Sequence, residues 1–385
     1  MRILIAPDKF KGSMSATEAG EAIREGLLTA NSNVECIVVP LADGGEGTTE
    51  VLTKAAHGSF QAARVRDPFG KEIIAQYGLS IDNRTAFMEM ASASGLHLVP
   101  GSQRNPLYTS TIGTGDLIRH ALNCGVRDIC IGIGGTATND AGMGAMIALG
   151  VEYRDRNGSI LEGHGDSLQH IDTIDVSKLH PGIREATFTI FCDVDNPLYG
   201  QRGAAYVFAP QKGAAPEAVE ILDRGLRNYE AVLQRYGYAN TNFPGAGAGG
   251  GLPVSLCVFA NAKIKSGISF IMDFVHLERQ VLSSDVVITG EGKLDDQTLS
   301  GKVVKGVASM AAQHGKPLVV VAGASALDRA DLSRLSVAHL ITLVDSDTTA
   351  ETAIANAEAI IRKRVQDNYL KITTNGQGTG LTGRQ

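Results

Sequence analysis

The run DICIGIGGTATNDAGMGAM at residues 128–146 holds residue types that handle phosphate. An apolar stretch, Ile129 to Ile133, meets the pair Gly134-Gly135, and the hydroxyl residues Thr136 and Thr138 follow. Glycine lets backbone N–H groups approach an anion with no Cβ in the way. Asn139-Asp140 then opens a run of helical composition. A helix start adds unpaired N–H donors at the positive end of its dipole. This spacing predicts a cradle for a nucleotide or another phosphorylated ligand.

Other loops set acids and lysines beside turn residues. Between Asp8 and Ser15, Lys11 is a cation for a phosphate or carboxylate, and Asp8 could accept a hydroxyl proton or orient a lysine. In DGGEGT (43–48), Asp43 and Glu46 stand at a helix start, where they would cap it or contact Mg2+ or substrate hydroxyls. In FCDVDNPL (191–198), Asp193 follows an apolar strand, a place for a general base or a metal ligand. Its neighbours Asp195-Asn196-Pro197 read as turn chemistry. FAPQKG (208–213) supplies Lys212 as a second cation. ITGEGKLD (288–295) opens a strand end with Gly290 and Gly292 and alternates the charges of Glu291, Lys293 and Asp295, with a helix expected from Gly301-Lys302. GxxxxGK[ST] occurs nowhere, which excludes a Walker-type NTPase.

Two rival readings use the same residues. Gly132 to Ala137 fits GxGxxA, with Asp155 downstream, which permits an NAD-dependent hydroxy-acid oxidoreductase. That fingerprint belongs in a first βαβ unit, however, and the polar Thr136 and Thr138 suit its apolar helix packing poorly. A non-catalytic nucleotide sensor is the other alternative. PGAGAGGG (244–251) also fits GxGxxG, but no strand precedes it, and it reads as too flexible for regular structure.

Positioning these loops requires alternating strands and helices. Arg2–Ala6 and Val34–Leu41 read as strands, each followed by a helix, the first opened by the Ser15-x-x-Glu18 capping pattern. Strands at 62–65, 73–79 and 86–90 suit a mixed sheet, and helices are expected near 114–122 and 216–236. From 286 on, βα alternation returns, with one long closing helix over 349–369. The fold class predicted is α/β: a Rossmann-like parallel-sheet domain (1–58 plus 281–372) with a mixed-sheet α/β domain (59–280) inserted, and a flexible tail at 373–385. The pattern does not assign residues 106–150 to either domain.

Composition narrows the class. The net charge is −6, with no broad basic excess for nucleic acid. Five scattered cysteines without CxxC spacing read as buried reduced thiols in a cytoplasmic setting. No stretch is a signal-peptide core or reaches membrane-spanning length.

The chain resembles the type I glycerate kinase family of bacteria nearly end to end. The resemblance rests on IAPDKFKGSMSA (5–16), VPLADGGEGT (39–48), GTGDLI (113–118), IGIGGTATNDAGMG (131–144), CDVDNPLYG (192–200), FAPQKGA (208–214), PGAGAGGG (244–251), IKSGI (264–268) and ITGEGKLDDQTLSGKVVKGVA (288–308). Lys9 departs from it, since relatives often carry Ser there. The resemblance implies ATP-dependent phosphorylation of D-glycerate with Mg2+, giving 2-phosphoglycerate. A monomer or homodimer is expected, with no nucleic-acid or membrane partner. On that basis Gly134, Gly135, Thr136, Thr138, Asn139, Gly290 and Glu291 are expected to hold ATP. Asp8, Ser13, Asp43 and Glu46 are expected at the substrate, Asp193, Lys11 and Lys212 in catalysis, and Asp193 and Asp295 at the metal.

Overall fold

The computed structural model describes residues 1–299 and 303–374. Its strands, in chain order, are β1 (Arg2–Ile5), β2 (Glu35–Val38), β3 (Ser59–Arg66), β4 (Glu72–Leu79), β5 (Thr85–Glu89), β6 (Asp128–Gly132), β7 (Glu152–Arg154), β8 (Thr173–Asp175), β9 (Thr187–Phe191), β10 (Lys263–Lys265), β11 (Val286–Leu294), β12 (Leu318–Ser325) and β13 (Val337–Thr342). The chain divides into two compact units, one from residues 1–43 and the segment from 268 on, the other from Gly44–Gly267.

In the first unit, short runs such as Ile3–Ile5 and Leu318–Val321 are apolar at every position, the pattern of strands buried on both faces. They form a parallel sheet in the order β2-β1-β11-β12-β13. From β1 the chain moves outward to β2, and from β11 it moves the other way to β12 and β13. The switch point therefore falls between β1 and β11, where such sheets bind ligands beyond the strand carboxyl ends. The helix Ala16–Ala30 starts on the expected capping box: Ser15 Oγ accepts the N–H of Glu18 at 3.2 Å, and Glu18 Oε2 accepts that of Ser15 at 2.8 Å. The long closing helix is instead three segments, Ala350–Ala355, Ala357–Asp367 and Tyr369–Thr374. Asn356 breaks it at φ −125°, ψ 26°, outside the helical region. Thr373 and Thr374, read as tail, belong to the last segment, and residues 375–385 lie outside the described residues. So do Gly301 and Lys302; the helix described beyond them is Val303–Gln313.

The second unit carries a mixed sheet in the order β10-β9-β6-β5-β4-β3. Its β3–β4 and β4–β5 pairs are antiparallel and the others parallel. The α/β class with one parallel and one mixed sheet is thus the one observed. Residues 106–150 lie in this unit. Whereas the sequence reading set junctions at 58/59 and 280/281, the units meet at 43/44 and 267/268. The helix Thr48–Ala55 packs on β4 and β5 of the mixed sheet, while Met272 packs on Gly306 in the parallel-sheet unit.

Among the described residues, no helix is long and apolar enough to cross a membrane. The expectation of buried thiols holds for Cys130 alone: Cys124 is exposed, and Cys36, Cys192 and Cys257 are half-buried.

Candidate functional site

Strands β5, β6 and β9 are parallel neighbours, so their carboxyl ends share one edge of the mixed sheet. That edge carries Glu89, the glycines from Gly132 to Gly135, and Phe191 to Asp193. Glycine is required here for close approach. A Cβ on Gly132 would lie 2.5 Å from the Gly44 carbonyl oxygen, and one on Gly44 would lie 2.9 Å from Phe191 Cβ. The loop from Gly44 to Gly47 is thereby seated against both strand tips.

The turn after β6 is held from several sides. The Gly135 carbonyl accepts the N–H of Leu96 at 2.8 Å, and the Ala137 N–H donates to the Ser94 carbonyl at 2.9 Å. Thr109 Oγ1 donates to the Ala137 carbonyl at 2.9 Å. Lys212 Nζ donates to Thr136 Oγ1 at 3.0 Å and to the Thr138 carbonyl at 2.6 Å. The structure therefore brings Lys212 to Thr136 and Thr138, which lie in a separate sequence motif, while Gly134 and Gly135 stay exposed on the rim. Gly135 adopts φ +70°, a conformation glycine reaches without strain.

Lys212, expected as a second cation, is held inside the unit rather than at its surface. It is 3 % exposed. Burial pushes its pKa down to about 8, partly opposed by the negative charge of Asp140. Beside it lie buried polar atoms without a protein partner: Thr138 Oγ1, and both Nδ2 and Oδ1 of Asn139. Such atoms cost free energy unless water or a ligand satisfies them.

The helix expected to open at Asn139-Asp140 begins only at Met143. Ala141 and Gly142 have φ +52° and +79°, which interrupts any helix. The Asp140 carboxylate accepts the N–H groups of Gly142 and Gly144 at 3.1 Å each, and the N–H and Oγ1–H of Thr111 at 2.8 and 2.7 Å. Thr111 Oγ1 in turn accepts the Ala145 N–H at 2.9 Å. The chain's own side chains thus fill this helix start, and the cradle reduces to the glycine–threonine turn itself.

A similar substitution occurs at Thr48–Ala55. Neither Asp43 nor Glu46 is its N-cap residue, which is Gly47 at φ +92°. Glu89 at the tip of β5 accepts the Thr49 N–H instead, at 2.9 Å. Thr48 Oγ1 and Thr49 Oγ1 are buried without a protein partner.

The glycine run 244–251, read as irregular, forms a 3-10 turn, Ala248–Gly251, that leads into the helix Leu252–Ala260. A Cβ on Gly250 would stand 2.1 Å from the Thr138 carbonyl oxygen, and one on Gly249 3.1 Å from Ile133 Cβ. The Gly250 carbonyl accepts the Ala141 N–H at 2.9 Å. Sequence reasoning missed this support; its only signal was a density of glycine that flexibility explains equally well.

Asp193 is exposed at the tip beyond β9, while Asp195 is paired with Arg202 at 3.2 Å. In the parallel-sheet unit, the register pairs Ile5 with Ile288, and the Asp8 N–H donates to the Gly290 carbonyl at 2.8 Å. Continuing that register sets Asp8 opposite Glu291 at the switch point, 6 % and 8 % exposed. Glu291 accepts from Thr298 Oγ1 at 2.5 Å. Lys11 is exposed, and its backbone N lies 3.0 Å from where a Cβ on Gly292 would stand. Ser13 Oγ donates to the Ile354 carbonyl at 2.8 Å, and Asp43 is half-buried. Asp295 accepts the Gln297 N–H at 3.0 Å and pairs with Lys293 at 3.4 Å, the duties of a turn residue. Among the described residues, no group of three or more His, Cys, Asp or Glu side chains is arranged as a metal cage.

Comparison with known proteins gives concordant results. The family model described as "Glycerate kinase family" matches residues 3–372. The chain is 40% identical over 358 residues to the glycerate 2-kinase of Escherichia coli (strain K12), covering 93% of this chain and 94% of that one. It is 40% identical over 368 residues to the glycerate kinase of Bacillus subtilis (strain 168), covering 95% and 96%. A crystal structure of a Salmonella typhimurium LT2 protein, assigned as glycerate kinase 2, superposes with a TM-score of 0.86 at 40% identity, covering 98% of this chain and 99% of that one.

Proposed function

We propose, for a chain that belongs to the glycerate kinase family, that it transfers the γ-phosphoryl group of ATP to D-glycerate and yields 2-phosphoglycerate. The observation that carries this reading is the pinned turn from Gly134 to Thr138 with Lys212 bonded beneath it. Phosphoryl transfer demands little covalent work from a protein. It demands in-line positioning and donors aimed at oxygen charge. The exposed glycine backbone at Gly134 and Gly135 and the Thr136 hydroxyl supply donors on a turn that does not need to reorganise.

Asp193 is the carboxylate proposed for the acceptor side, where it orients the glycerate hydroxyl and takes its proton as the new bond forms. The donor set also fits Mg2+, which characteristically binds one or two carboxylates together with substrate phosphates. In that alternative role Asp193 would hold the ion instead of taking the proton, and the ion, when bound, would neutralise phosphate oxygen charge. Within the parallel-sheet unit, Asp8, Glu291 and Lys11 at the switch point are the proposed contacts for substrate hydroxyl and charged groups.

Incubation with Mg-ATP and D-glycerate, followed by proton-coupled phosphorus NMR, tests the reading. A phosphate split by the single proton on C2 is the expected product, whereas splitting by the two protons on C3 would identify 3-phosphoglycerate. Absence of ADP and of any phosphoglycerate would overturn the assignment.

A further inference from the structure

Ala141 holds a backbone conformation that its own side chain does nothing to stabilise. Its φ is +52°, and Gly142 beside it has φ +79°. The Met143 N–H donates to the Asp140 carbonyl at 2.8 Å, so residues 140–143 close a turn whose two central residues are both left-handed. Turns of that kind are built mainly from Gly, Asn and Asp. Among the described residues, the other non-glycine positions of positive φ are His57, Asn83, Asn240, Asn261, His276 and Ser336. Short polar side chains can bond the local backbone in this region, whereas a methyl group has nothing to offer. Ala141 is also 0 % exposed, so its peptide groups must find partners inside the protein.

Strain of this kind persists only where the surroundings over-determine it. One segment does so here. The Gly250 carbonyl accepts the Ala141 N–H at 2.9 Å, and Ser255 Oγ, on the helix Leu252–Ala260, donates to the Ala141 carbonyl at 2.6 Å. Ser255 is itself 0 % exposed, and its single proton goes to that carbonyl. At its 2.7 Å contact with Tyr229 Oη it is therefore the acceptor, which fixes the hydroxyl on its target. The segment that clamps Ala141 also touches the glycine–threonine turn. A Cβ on Gly250 would stand 2.1 Å from the Thr138 carbonyl oxygen, the atom that Lys212 holds.

We propose that Ser255 is a positioning residue of the phosphoryl-transfer site: its bond to the Ala141 carbonyl keeps the 140–143 turn left-handed, and with it the shape of the Thr136–Thr138 turn. The functional meaning rests on the kinase reading. The clamp accounts for the helix that begins at Met143 rather than at Asn139-Asp140, where the residue types call for it. Without the Ser255 bond, Ala141 relaxes to the right-handed conformation that alanine prefers, and the chain between Thr138 and Met143 shifts with it.

The test is a rescue. Glycine adopts a positive φ without strain, so Ala141→Gly removes the need for the clamp. kcat and the KM for ATP are measured in the parent, Ser255→Ala, Ala141→Gly and the double variant, well below every melting temperature. Ser255→Ala should lower kcat about tenfold, the population change that left-handed strain of one residue brings, with a smaller change in KM. Adding Ala141→Gly should recover most of that loss. A second readout needs no activity. Exchange of the Gly142 and Gly144 amides, both bonded to the Asp140 carboxylate, should quicken about tenfold in Ser255→Ala and slow again in the double variant. A double variant with kcat as low as that of Ser255→Ala overturns the proposal, and so does parental kcat in Ser255→Ala. Should Ser255→Ala not fold, recovery of a cooperatively melting protein in the double variant is the same rescue, and its absence overturns the clamp. Failure of the kinase reading would show separately, as a parent protein that forms no phosphoglycerate while amide exchange still reports on the clamp.

Discussion

Glu89 caps the helix Thr48–Ala55 from forty residues away: its Oε1 accepts the N–H of Thr49 at 2.9 Å. A Cβ added to Gly132 would also lie 3.6 Å from Glu89 Cγ, so this one side chain touches both the helix start and the glycine strand tip. Glu89→Ala should cost about 1 kcal/mol of stability, the usual worth of a lost cap. Glu89→Gln keeps an acceptor oxygen and should lose less. Urea unfolding midpoints compare the two, and equal midpoints for parent and Glu89→Ala would show that the bond contributes nothing.

The pKa of Lys212 gives activity and stability opposite pH trends. Its folded value, about 8, lies below the ordinary 10.5. Below pH 8 the lysine is charged in both folded and unfolded chains, and its burial penalty is present in full. Between about 8 and 10.5 the unfolded chain holds more protons, so this residue's contribution to stability rises with pH. Activity that depends on the ammonium falls through the same window. The expected result is kcat declining above pH 8 while the stability of the parent gains on that of Lys212→Met. Stability curves for parent and variant that stay parallel from pH 8 to 10 would count against it.

Two glycines with positive φ separate conformational strain from steric fit. Gly47 has φ +92° and nothing within 4 Å of an added Cβ, whereas Gly250 has φ +71° and the Thr138 carbonyl oxygen at 2.1 Å. Gly47→Ala should therefore cost roughly 1 kcal/mol, the strain of the left-handed conformation alone. Gly250→Ala must also displace the carbonyl that Lys212 holds, and overpacking adds about 1–3 kcal/mol. It should lower kcat as well, which Gly47→Ala tests by contrast in the same assay. Equal losses of stability and turnover would remove Gly250 from the support of the turn.

These outcomes also mark what the sequence could convey. Strand runs such as Leu318 to Val321 are apolar at every position, and Ser15 with Glu18 spells its own cap, so local pattern sufficed for the α/β class. The glycine–threonine turn and Lys212 were likewise recognisable as residue types. Their bond was not, because residues 212 and 136 meet only through the packing of separate elements. The bonds that Glu89 and Thr111 make to helix starts were hidden for the same reason. Each comes from an element far along the chain, although Asp140, which shares the second helix start with Thr111, is local to it. The order at 244–251 was hidden differently: glycine density signals either freedom or close approach, and only the neighbouring Thr138 and Ile133 decide which.

Asp193 and Asp195 sit two residues apart in one exposed loop, yet their expected contributions differ sharply. Asp195 is paired with Arg202 at 3.2 Å, and both side chains are mostly solvated. An ion pair of that kind is worth about 0–1 kcal/mol, so Asp195→Asn should leave kcat within a few-fold of the parent. Asp193 stands just beyond β9, on the sheet edge that carries the Gly134–Gly135 turn. If it acts on the acceptor hydroxyl or the metal, Asp193→Asn should lower kcat by roughly a hundredfold or more, comparable to about 2.7–4 kcal/mol of lost transition-state stabilisation. Because the residue is exposed, its melting temperature should stay close to that of the parent. Measuring ADP release and thermal unfolding on both variants separates the roles. Near-parental turnover in Asp193→Asn would remove this carboxylate from the mechanism and return attention to Asp8 and Glu291.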